Sequence, residues 1–318
     1  MVPETRELSG EDAWATLRGV GRRHLLVDAF TRMRFSDGFS HARSLAYMTS
    51  LVAVQGIIAV VALAGVIGGN GFSDMVVTTI RRAVPGPAGE MLTAAVGHAH
   101  AAGAQHHFTA LIFGTIGTLV TATTAFGQLE RALNRMYGVE MDRPALAKYA
   151  RAFVLAATVG TLVTLAFVCL AVGRDLFAKS AHGWATTAWG VARWPLGLIL
   201  IATAITALLR TCPKRVQPRL SWLAFGSGVS VLGFALVTVA LGLYFRSSQS
   251  FGQTYGPLAG MVALMLWALL SSMAVLYGAA IAAQLEAVRA GVPEPQDEQK
   301  IAESEPESTA REPQSASR

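Results

Sequence analysis

Six stretches of this chain are long, apolar and free of Asp, Glu, Lys, Arg and His, and no other feature restricts its fold as much. They run roughly over 45–68, 108–127, 152–172, 194–209, 220–244 and 257–285. A helix needs about 20 apolar residues to cross a bilayer core. In lipid the backbone must also satisfy its own hydrogen bonds, which a helix does within one segment. Only 14% of the residues are charged, against about 25% in soluble domains, and the deficit falls on these blocks. The expected fold is therefore all-α: a polytopic membrane protein with six transmembrane helices over 45–285, joined by amphipathic interfacial helices. The fourth block is short, with Arg193 and Arg210 at its ends drawn toward the interfaces.

The charges between the blocks alternate. Arg22, Arg23, Arg32, Arg34 and Arg43 precede the first block, and the next loop has Arg81 and Arg82. Arg131, Arg135, Arg143, Lys148 and Arg151 then lie between the second and third, followed by a loop with Arg174 and Lys179. Arg210, Lys214, Arg215 and Arg219 come next, and finally Arg246 alone. High and low counts alternate, so the positive-inside rule expects both termini in the cytoplasm. The first 20 residues hold Glu4, Glu7, Glu11 and Asp12 and lack an apolar core, so no cleavable leader is expected. The net charge of +6 conceals an acidic end: residues 291–318 carry seven acids against three bases. With its Pro, Glu, Ser and Gln, the tail over 286–318 reads as disordered. The basic remainder suits anionic lipid headgroups; because its bases are dispersed between spans, no nucleic-acid partner is expected.

The connecting segments have amphipathic patterns. Within the N-terminal segment 1–44, Leu26, Phe30 and Met33 recur at helical spacing, predicting a basic helix that lies in the interface or packs on the protein's own loops. The loop over about 70–106 predicts two amphipathic helices folded back as an outer cap. Val76, Ile80 and Val84 share a face of the first, Pro85-Gly86-Pro87 break it, and a second short helix starts near Ala88. Between the second and third spans, about 128–149, Leu129, Leu133, Met136 and Tyr137 form an apolar stripe. Glu130, Arg131, Asn134 and Arg135 are expected on the opposite, solvated and headgroup-facing side of this elbow, with Gly138 ending its helix.

The spans contain many small and hydroxyl residues but no ionisable ones. Gln55, Gln128 and the hydroxyls of the second span, among them Thr118 and Thr121, are candidate linings of a pathway. Their other reading is helix packing, with hydroxyls bonded across helices or back to their own carbonyls. Gly256 and Gly260 are four apart, a spacing open to either a homo-oligomer or an intramolecular contact. Cys169 and Cys212 fall near opposite faces of the membrane and are expected as free thiols. His98, His100, His106 and His107 lack carboxylate or thiolate partners at motif spacing, so no metal or other cofactor is expected.

Three motifs at this order and spacing, "DGFSHARSLAY" (37–47), "ERALNRMYGV" (130–139) with "DRP" (142–144), and "GQTYGPLAGMVALMLWALLSSMAVLYGA" (252–279), resemble the YihY/BrkB family of bacterial inner-membrane proteins. The resemblance covers about 20–290. It implies a six-helix membrane domain with cytoplasmic ends and an association with envelope integrity, serum resistance, and lipid or solute transport. It also brings an older "ribonuclease BN" label, generally regarded as a misassignment. The chain departs from the family pattern at Ala53, where a Pro is usual, and at Ala280, where an acid is usual. If that acid serves transport in relatives, Gln284 or Glu286 would have to replace it, which makes Gln284 a further pathway candidate.

The chemistry narrows the function. Ribonuclease action needs clustered carboxylates with metals, or positioned acid and base groups, and the cytoplasmic segments show neither pattern, so no enzyme is expected. Ion-coupled transporters place ionisable groups inside spans, and these spans hold none. Two readings stay open: a translocator of a lipid or amphipathic molecule, or a membrane scaffold that supports envelope integrity.

Overall fold

The computed structural model of the protein describes residues 8–67, 70–139, 143–171, 183–248 and 258–292. Among these residues every regular element is a helix: α1 (Gly10–Val20), α2 (Arg22–Phe35), α3 (Gly38–Ile67), α4 (Asn70–Ala83), α5 (Gly86–Met136), α6 (Ala145–Ala171), α7 (Gly183–Thr211), α8 (Leu220–Ser247) and α9 (Ala259–Arg289). Six have segments long and apolar enough to cross a membrane: Gly38–Leu63, Phe108–Met136, Ala145–Ala166, Thr187–Thr211, Leu220–Ser247 and Ala259–Arg289. Arg193 thus lies inside the fourth of these helices rather than at its end.

Local chemistry sets the boundaries. Asp12 starts α1 by accepting bonds from the Ser9 backbone N–H and hydroxyl, both at 2.9 Å, a capping arrangement. Asp37 turns the chain between α2 and α3 at φ 54°, a left-handed conformation that Asp tolerates better than most residues. Gly138, at φ 72°, closes α5. Its N–H donates to the Arg135 carbonyl at 3.0 Å and that of Val139 to the Asn134 carbonyl at 2.8 Å, the paired bonds of a Schellman motif.

The expected cap differs in one respect. Its first helix is present as α4, but the second is no separate short helix. The chain from Gly86 runs as helix into the second span, 51 residues in all. Ala, Leu and Met dominate its start, and no Pro follows Pro87 to stop it. From Met91, which a Cβ on Gly260 would touch, to Met136, which Arg32 links to Gln284, the helical path is roughly 68 Å at 1.5 Å per residue. Along α9, Gly260 and Gln284 are only about 36 Å apart by the same rise, so α5 bends between these anchors.

The apolar core is in two parts. One cluster lies at the end of the bundle that holds α1, α2 and the C-terminus of α9, called here the terminal end. It joins Leu25, Ala29 and Met33 to Leu129, Leu133, Leu209, Leu223, Ile281 and Leu285. The other lies at the distal end, where Ile80, Val84, Ala88 and Leu92 pack on Val61, Leu241, Leu264 and Trp267. Between them, α8 and α9 meet along a seam of small residues. A Cβ on Gly226 would lie 2.7 Å from the Gly278 carbonyl oxygen, and one on Gly233 would lie 2.9 Å from Ala274 Cβ. Such residues let membrane helices approach to backbone contact. The opposite side of α8 exposes Leu232, Leu236, Val239 and Leu243 as a stripe suited to lipid.

The last helix continues past residue 285, where the sequence placed the start of the tail. Glu286 and Ala287 are buried within it. The rest of the expected tail, 293–318, and the loop with Gly252 and Gly256 lie outside the described residues. Gly260 faces Met91 and Pro87 of the same chain, an intramolecular contact.

Candidate functional site

Midway between the two core clusters the bundle has a waist. Over 47–60 of α3, about 21 Å of helix at its usual rise, no residue is fully buried. A packed helix of that length would bury a continuous stripe. The same holds over 115–126 of α5, 231–240 of α8 and 269–275 of α9. The helices still touch there at small residues, Gly233 against Ala274 and Gly114 against Ala59, but no side chain is fully enclosed.

Gln55 sits in the waist, half-buried. Its Oε1 accepts a hydrogen bond from Thr121 Oγ1 at 2.9 Å, and its amide lies over Gly117, where a Cβ would come within 3.4 Å of Cδ. Gly114 lets the backbone of α5 approach Ala59 one turn away. The structure thus brings together two candidate pathway residues, Gln55 and Thr121. Thr118 instead donates back to the Gly114 carbonyl at 2.6 Å, and Thr124, Thr158 and Thr161 bond to their own helices in the same way. Gln128 is half-buried a further two turns along α5 from Thr121. Gln284 lies elsewhere, fully buried at the terminal end.

That end is a polar clamp, and most of it was not legible as a site. Glu130 and Asn134, expected on the solvated side of the elbow, are 1% and 2% exposed; only Arg131 and Arg135 face outward. The reason is the chain that returns over them. Arg143 pairs with Glu130 at 2.6 Å and donates to the carbonyls of Cys212 and Pro213, both at 2.9 Å. Asn134 Oδ1 accepts from the Lys214 backbone N–H at 2.7 Å. Arg215 pairs with Glu286 and stacks its guanidinium 4.5 Å from the centre of the Tyr137 ring. Arg32 donates from Nε to Gln284 Oε1 at 2.6 Å and from Nη1 to the Met136 carbonyl at 3.3 Å. Through these bonds α2, α5, α9 and the segments entering α6 and α8 are tied together.

Burial governs the electrostatics here. It lowers the Arg32 pKa to about 10, with Tyr137 and Asp28 opposing the shift. Burial also raises the Tyr137 phenol well above its usual range, aided by Glu286. The Cys212 thiol is pushed up to about 12, by burial first and then by Glu130, so it is an inert thiol. Each buried carboxylate of the clamp is engaged by a guanidinium, an arrangement that joins helices rather than one that passes protons. Glu286 and Gln284 both belong to this clamp, whereas Ala280 is buried among apolar residues.

Sequence reasoning missed Arg32 because it followed the stripe Leu26, Phe30 and Met33. Leu26 and Phe30 are exposed, and the inward face of α2 is Leu25, Ala29, Arg32, Met33 and Ser36. Their spacing of four, three, one and three residues, with one arginine among small and apolar neighbours, was the available signal. Among the described residues no group of three or more His, Cys, Asp or Glu could hold a metal ion. His98 is exposed, and the side chains of His100, His106 and His107 lie outside the described residues.

Comparison with known proteins bears on this architecture. A sequence model of the family described as Virulence factor BrkB matches residues 29–303. A Bacillus subtilis (strain 168) protein, YfkH, named provisionally as ribonuclease-like, is 23% identical over 266 residues, 82% of this chain and 94% of the relative. A UPF0761 membrane protein of Rhodospirillum rubrum (strain ATCC 11170) is 33% identical over 256 residues, 77% of this chain and 54% of the relative. Another, from Xanthomonas oryzae pv. oryzae (strain PXO99A), is 26% identical over 182 residues, 56% of this chain and 41% of the relative. The chain thus spans about half the length of these UPF0761 relatives. No solved structure matches.

Proposed function

The chain belongs to the Virulence factor BrkB family and is a multi-pass membrane protein, and from that premise we propose that it translocates a lipid or amphipathic molecule across the bacterial inner membrane. The observation that carries the reading is the waist, where α3, α5, α8 and α9 lack fully buried residues over several turns while both ends of the bundle are packed. Side chains that stay partly accessible beside lipid at this level would offer a headgroup a path with its chains left in the bilayer. The Gln55–Thr121 pair supplies polar contacts there without an ionised group, which suits a neutral or zwitterionic cargo better than ion coupling. Orientation follows the positive-inside rule, with the terminal end and its bases in the cytoplasm.

The alternative, a scaffold with no cargo, draws on the clamp, which would give a stiff docking platform at the terminal end. One experiment separates the two. The purified chain is placed in liposomes and translocation of labelled phospholipids is followed for several headgroups, beside protein-free liposomes and a Gln55→Leu variant. Movement above background that Gln55→Leu reduces at least severalfold is expected. No movement with folded protein, for any headgroup, would leave the scaffold.

A further inference from the structure

We propose that the outer face of α2 is a binding surface for anionic phospholipid headgroups in the leaflet at the terminal end. Two contacts fix its depth. A core of about 30 Å takes about 20 helical residues, so a crossing that begins at Ala259 reaches the far boundary near Tyr277. The Tyr277 hydroxyl donates to the Leu26 carbonyl of α2 at 3.0 Å, and residues 278–287 beyond it are buried by protein. Independently, the Phe30 ring meets Phe39 edge-on at 5.8 Å, and Phe39 lies in the first turn of the first span. Leu26 and Phe30 are therefore level with the headgroups.

At that depth α2 turns one face inward and leaves the other uncovered. Leu26, Val27 and Phe30 are 44%, 57% and 50% exposed. Arg23 and Arg34 are exposed on the same face, three residues before Leu26 and four after Phe30. The acids nearby are Asp28, half-buried to one side, and Asp37 in the turn after the helix. Apolar side chains that enter the acyl boundary, interleaved with guanidinium groups at phosphate level, match an anionic leaflet. The inward face of the same helix carries Arg32, which holds Met136 and Gln284. Lipid bound outside thus steadies one strap of the clamp. This surface stands apart from any cargo.

The test uses the full chain in neutral detergent, with its melting temperature followed as phosphatidylglycerol or phosphatidylcholine is added. Phosphatidylglycerol should raise it by several degrees more than phosphatidylcholine. Arg23→Gln/Arg34→Gln should lose most of that difference, and Arg23→Lys/Arg34→Lys should keep it. Arg151→Gln/Arg210→Gln, which removes two other exposed bases of this end, should keep it too. Equal effects of the two lipids, or equal losses in both glutamine pairs, would overturn the assignment. If the α2 glutamine variant does not fold, a photoactivatable phosphatidylglycerol on the unaltered chain decides: label within 24–34 supports the surface, and label only elsewhere refutes it.

Discussion

Alanine at Gly278 tests the seam between α8 and α9. A Cβ there would overlap Ser230 Oγ and the Gly226 carbonyl oxygen and would lie 2.9 Å from Ser230 N. The serine hydroxyl can rotate away, but the carbonyl and amide are backbone, so the helices must separate by on the order of 1 Å. Overpacking of this kind costs about 1–3 kcal/mol. Separation also strains the bond from Ser230 Oγ to the Val275 carbonyl, 3.3 Å long, which contributes roughly 0.5–1.5 kcal/mol. Against this, replacing Gly by Ala inside a helix gains about 1 kcal/mol of propensity. Gly228 isolates that gain, because a Cβ there meets nothing within 4 Å. Gly228→Ala should thus be neutral or slightly stabilising, while Gly278→Ala should lose a net 1–3 kcal/mol or so. The assay is unfolding of the purified chain in mixed micelles by increasing SDS fraction, followed by far-UV circular dichroism. If the two variants unfold at the same SDS fraction, the seam is not packed as described and the reasoning fails.

The remaining predictions concern the clamp. Arg215→Met removes the guanidinium that faces the buried Glu286 carboxylate, which should cost about 3–5 kcal/mol, and Arg215→Met/Glu286→Leu should recover much of that loss. A single variant as stable as the double would show that the pair is hydrated. Cys212 predicts a pH dependence. Its thiol holds its proton to about 12 in the fold, whereas the unfolded thiol releases it near 9.0. Above pH 9 the unfolded state therefore binds fewer protons and stability falls as pH rises. Tyr137 acts with the same sign, and Arg32, lowered to about 10, opposes both only above that pH. Cys212→Ala should flatten part of the decline in melting temperature above pH 9; an unchanged slope would mean that the thiol is not buried. A maleimide should likewise reach Cys212 only after denaturation.

What the sequence by itself determined was the set of spans and their connection. Charge exclusion over about 20 residues is a property of one segment and one solvent, so the six crossings could be read without knowing any neighbour. The end of α5 at Gly138 was legible for a similar reason, because a left-handed cap is a local requirement that glycine meets. Only the tertiary structure decided which polar groups are buried. Glu130 lies on a helix surface that looks solvent-facing in isolation, and it is buried because Arg143 and the Cys212–Pro213 backbone fold over it. Arg32 and Gln284 are 252 positions apart, and no periodicity within either helix refers to the other. The waist belongs to the same category: apolar composition shows that a helix crosses the membrane, but whether its inner face is packed depends on how closely three other helices approach it.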